Sequence, residues 1–152
     1  MQQLMVGEHQ LGTATLVSRT SLTAPTTDTL KAALYLASAT VNASTTAYSA
    51  SNEVSGTGYA AGGVTVTNAT APNSTNTTAT AGVAFFTPSA SITYTTVTLA
   101  TAFDAVLIYN STQSNKAISV HTFGSQTITA GTFTLTMPAN TTSTALIRLA
   151  TT

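Results

Sequence analysis

The side chains that could do chemistry are few, and their spacing can be tested against known requirements. Four glycines (Gly56, Gly58, Gly62 and Gly63) crowd the segment "NEVSGTGYAAGG" ahead of the alternating Val64-Thr65-Val66. A dinucleotide fingerprint needs G-x-G-x-x-G between a strand and a helix, so that the helix N-terminus meets the pyrophosphate. Here the spacing is Gly56-x-Gly58-x-x-x-Gly62, and a strand follows. A Walker loop needs a Gly-Lys-Ser/Thr ending, which is absent. The four glycines are therefore turn residues that re-aim the chain between strands. Asp104, His121 and one of many serines could compose a triad on paper, but there is no G-x-S-x-G elbow. Glu8 and His9 are adjacent with no third ligand nearby, which is thin material for a metal site. No catalytic, cofactor-binding or metal-ligating residue is assigned.

Composition narrows the function classes further. Among 152 residues there are four Lys and Arg and four Asp and Glu, giving zero net charge. The charged fraction is 5%, where roughly 25% is usual in soluble domains. There is no basic field for nucleic acid and no basic patch interleaved with aromatics. Without cysteine there is no disulfide framework, thiolate zinc site or thiol nucleophile. No apolar run approaches a membrane span, and "MQQLMVGEHQLG" does not read as a signal peptide. Six N-x-S/T sequons, at Asn42, Asn68, Asn73, Asn76, Asn110 and Asn140, follow from the abundance of Asn, Ser and Thr. At 43% hydrophobic, the chain can bury a core. Its neutral, hydroxyl-rich surface resists association poorly, which suits a life inside an assembly.

The elements that must position these residues read as strands. The β-branched threonine suits a pleated, half-exposed surface. "TLKAALYLAS", "GVTVTNAT", "AGVAFFTP", "ITYTTVTLA", "FDAVLIYN", "KAISVHTF", "TFTLTMPA" and "TALIRLAT" are strand-like runs, with turn signals at Pro88-Ser89, "YNSTQSNK" and Gly124-Ser125; for the first run a helix is the alternative to the preferred strand, since Ala and Leu favour one. "PNSTNTT" (72–78) reads as a polar loop. "AVLIY" (105–109) is continuously apolar and predicts a central strand covered on both faces. "TFTLTM" predicts Phe133, Leu135 and Met137 inward and Thr132, Thr134 and Thr136 outward. About eight such strands predict an all-β, antiparallel β-sandwich of jelly-roll or immunoglobulin-like type. Residues 1–22 are expected to form an N-terminal arm or short helix bearing Leu4, Met5 and Leu11, with residues 23–152 as the sandwich domain.

"DTLKAALYLASATVNASTTAYSASNEVSGTGYAAGG" (28–63) resembles a motif of small structural proteins of tailed bacteriophages. In that family D-T-x-K-x-A-L-Y, matched here by Asp28, Thr29, Lys31, Ala33, Leu34 and Tyr35, precedes a Thr-rich loop. The N-E-V-S-G-T-G-Y-x-A-G-G segment, matched by Asn52 through Gly63, follows it. "AVLIYNSTQSNKAISVHTFGS", "GTFTLTMPA", the closing "ALIRLA" and "LMVGEHQLG" are similar to other parts of the family, whereas residues 83–99 depart from it. The resemblance implies a non-enzymatic virion component, made in the host bacterial cytoplasm. A capsid decoration or cement protein on the assembled head is the first expectation. A tail-associated baseplate or fibre module, touching host glycan through Tyr48 and Tyr59, is the alternative. The expected partners are the major capsid protein or other virion proteins, and further copies of the chain, with a trimer favoured. Leu4, Met5, Leu11 and Tyr59 are the expected assembly contacts, Tyr59 projecting from the sandwich edge.

Overall fold

The computed structural model describes residues 28–66, 73–74, 83–87 and 91–150. The expected arm, with Leu4, Met5 and Leu11, and the Glu8-His9 pair lie outside the described residues. Among the described residues there are seven strands: β1 (Leu30–Leu36), β2 (Val64–Val66), β3 (Asn73–Ser74), β4 (Val83–Phe86), β5 (Ile92–Asn110), β6 (Lys116–Leu135) and β7 (Ile147–Ala150). All pair antiparallel, in a four-stranded sheet ordered β2-β1-β5-β6 and a three-stranded sheet ordered β3-β4-β7. The fold is all-β and antiparallel, of the sandwich-like class that the alternating runs predict.

The described residues cluster into two compact units. The first holds β1, β2, β5 and β6. β1 lies between β2 and β5, and its two faces are buried in turn. One face contributes Ala33 and Tyr35 to a cluster with Ala105, Leu107, Tyr109 and Ala117. The alternate positions Leu30, Leu34, Val106 and Ile108 are buried as well. The 105–109 run is thus a doubly covered central strand, as its unbroken apolar character predicts. In the second unit β4 pairs with both β3 and β7, and Thr87 Oγ1 accepts from the Leu146 N–H at 2.7 Å. Asn73 and Ser74, read from sequence within a polar loop, form the short strand β3 instead.

Four predicted strands merge into two. "ITYTTVTLA" and "FDAVLIYN" are one 19-residue strand, and "KAISVHTF" and the "TFTL" of "TFTLTMPA" fall in one 20-residue strand, so Gly124-Ser125 is not a turn. β5 and β6 form a long hairpin through residues 111–115, with Ser114 and Asn115 at positive φ. The hairpin does not run straight. The rings of Phe123 and Phe133 lie 5.3 Å apart, though ten residues of straight strand span about 33 Å. Phe103 packs edge-on against both, at 5.9 and 5.2 Å. The bend is made by register shifts between Tyr94 and Ala105 and by Thr96 and Ala130, both at positive φ. The hairpin therefore folds its far half over its near half, and the three phenylalanines fill the angle. In "TFTLTM" the exposed residues are the three threonines, while Phe133, Leu135 and Met137 are half-buried.

Candidate functional site

Glu53 is the acidic residue inside the glycine-rich segment, and the fold gathers every tyrosine of the chain around it. Residues 52–54 run beside the end of β1. Leu36 N–H donates to Asn52 O at 3.0 Å, Val54 N–H donates to Leu34 O at 2.9 Å, and Glu53 bridges Tyr35. This pairing holds the Glu53 carboxylate over the sheet. Its Oε2 accepts from the Tyr48 hydroxyl at 2.6 Å. Its Oε1 accepts from the Tyr59 hydroxyl and from the Gly62 N–H, both at 2.8 Å.

The remaining tyrosines form the second ring of the cluster. Tyr109 donates to Gly62 O at 2.8 Å and stacks on Tyr48 with centroids 4.7 Å apart. Tyr94 donates to Ala32 O at 2.8 Å and stacks on Tyr59 at 5.9 Å. Tyr35 donates to Ser49 O. Burial pushes all five phenols up from their ordinary value, and the negative charge of Glu53 adds to the shift in each. They remain neutral donors across the physiological range. A carboxylate that accepts three hydrogen bonds, two of them from phenols held protonated, is a clamp. Charge-assisted bonds of this kind contribute about 1.5–3 kcal/mol each.

Tyr59 does not project from the sandwich edge as expected. It is half-buried, its hydroxyl donates to Glu53, and the same oxygen accepts from the Leu34 N–H at 2.9 Å. The small neighbours leave it room to turn inward, and the carboxylate supplies the reason to do so. Tyr48 is likewise half-buried and bonded to Glu53, so neither tyrosine named for glycan contact stands free on a loop.

The glycines serve this arrangement. Gly58, Gly62 and Gly63 have φ of 79°, 85° and 73°. A Cβ on Gly63 would fall inside the Ala32 carbonyl, the group to which Tyr94 donates. Gly56 and Gly58 lie against the carbonyls of Thr98 and Thr96, at the bend of β5, where Thr98 N–H donates to Thr57 O at 2.9 Å. The segment is pressed against the corner of the hairpin on one side and tied to β1 on the other.

The paper triad does not assemble. His121 on β6 has Nε2 3.0 Å from Ser119 Oγ, and burial lowers its pKa. Among the described residues no hydrogen bond joins Asp104 to either. Asn110, one of the six sequon asparagines, is fully buried, and its amide donates to Asp28 at 2.6 Å. No group of three or more potential metal ligands occurs among the described residues, and no helix among them is long and apolar enough to cross a membrane.

The tyrosine cluster is invisible to spacing arguments, because its members sit at 35, 48, 59, 94 and 109. The usable signal was the placement of one carboxylate, Glu53, in a segment otherwise free of charge. Comparison with known proteins finds no matching family model, curated protein or solved structure.

Proposed function

We propose that the chain is a non-enzymatic structural protein of a tailed-phage particle, a decoration or cement protein that binds the assembled head. The observation that carries the reading is the use made of "NEVSGTGYAAGG". The segment's carboxylate, its tyrosine and its glycines are all engaged in holding it between β1 and the hairpin corner, so the most distinctive stretch of the sequence acts as a fold element. The same segment bears the phage-protein resemblance. A nearly uncharged, threonine-covered surface fits attachment by buried area and hydrogen bonds to neighbouring capsid subunits, and to other copies of the chain.

The test is to add the purified chain to particles of the phage that encodes it, after stripping, and to image them at low resolution. Extra density on the head shell is the expected result. Density at the baseplate or fibres would transfer the chain to the tail, and particles that take up none would remove the virion role.

A further inference from the structure

The 20-residue strand β6 is the outer strand of its sheet. Among the described residues its outer edge is engaged only at its start, where Lys116 bridges Ala47 and the Ala117 N–H donates to Thr46 O at 2.9 Å. From Ile118 to Leu135 that edge meets no other strand among the described residues. Natural sheets guard such edges with lysine, proline, inward charge or bulges, and here the irregularity lies at Ala130, leaving the residues after it regular. Between Ala117 and Leu135 there is no Asp, Glu, Lys, Arg or Pro. The last five residues, Gly131–Leu135, lie beyond the bulge at Ala130 and present Thr132 and Thr134 to solvent, with Phe133 half-buried between them.

We propose that the Gly131–Leu135 edge pairs with the same edge of a second copy, antiparallel about a two-fold axis at Phe133. That axis sets Thr132 opposite the partner's Thr134 and Phe133 opposite the partner's Phe133. The chain already uses this pairing internally: Thr93 faces Thr134 across β5 and β6 with their hydroxyl oxygens 3.5 Å apart, and Tyr94 faces Phe133. Facing threonines and facing aromatics are favourable cross-strand pairs. The second copy is the fitting occupant because the edge is neutral. It offers a charged peptide no countercharge, whereas a zero-net-charge copy brings matching hydroxyls and an aromatic that extends the Phe103–Phe123–Phe133 group. A self-matching edge closes at two chains, so the unit is a dimer where a trimer was expected from sequence.

The experiment compares the full chain with two variants by native mass spectrometry and sedimentation. The wild type is expected to be a dimer. Thr132→Lys with Thr134→Lys sets like charges opposite each other at both crossings and should leave a monomer with an unchanged circular-dichroism spectrum. Thr132→Lys with Thr134→Glu sets opposite charges together and should restore the dimer. A wild type that is monomeric or trimeric, a double-lysine chain that stays dimeric, or a lysine–glutamate chain that stays monomeric would overturn the pairing. Should the double-lysine chain fail to fold, amide exchange in the wild type decides. Outer-edge amides of 131–135 that exchange faster on dilution support the pairing, and concentration-independent exchange refutes it.

Discussion

The Tyr94 hydroxyl donates to the Ala32 carbonyl at 2.8 Å, while Ala32 is the register partner of Ile108 in the same strand as Tyr94. Fourteen residues of straight strand would hold those two positions of β5 about 46 Å apart. One strand thus meets one residue of β1 twice, once as a ladder neighbour and once from above. The bond is the staple of the folded hairpin.

Tyr94→Phe keeps the ring stacked on Tyr59 and removes only that staple. The loss of one hydrogen bond should cost about 1 kcal/mol and lower the melting temperature by about 2–4 °C for a chain of this length. Thermal unfolding followed by circular dichroism checks it. An unchanged melting temperature would mean that the apolar contacts alone hold the corner.

Much of this architecture was legible in the alternation. β1, the buried 105–109 run and the 111–115 hairpin follow from apolar period and turn residues, because local pattern and burial agree there. The corner was not legible. Gly124-Ser125 looks like a turn, and the residues that take the unusual backbone angles are Thr96 and Ala130, whose types give no warning. The inward rotation of Tyr59 depends on Glu53 and on the Leu34 amide from β1, a tertiary relation that no local window contains.

Replacing Glu53 tests the clamp. Glu53→Ala strands two phenol donors and the Gly62 N–H, and should cost more than the about 1.5–3 kcal/mol of one charge-assisted bond. Glu53→Gln retains one acceptor oxygen and should cost less. Chemical denaturation of the three proteins gives the ranking. An alanine variant no weaker than the glutamine variant would show that water replaces the carboxylate at no cost.

Glycine substitutions should divide sharply. Gly63→Ala meets both a φ of 73° and the Ala32 carbonyl, and the left-handed backbone alone costs about 1–2 kcal/mol. Gly124 has open space where a Cβ would sit, so Gly124→Ala should stay within about 0.5 kcal/mol of wild type. Equal losses at both sites would contradict the packing of residues 62–63 on β1.

The phenols also set a pH limit. Burial raises their pKa in the fold above the ordinary 10.0, so the folded chain keeps protons that the unfolded chain releases. Stability from this source is fully present below pH 10 and is lost as pH rises above it, because there the unfolded state binds fewer protons. The melting temperature should therefore decline between about pH 10 and pH 12. Tyr59→Phe combined with Tyr94→Phe removes two of the five groups and should flatten that decline while lowering the melting temperature at neutral pH. A double variant with the same alkaline slope as wild type would locate the titration outside the cluster.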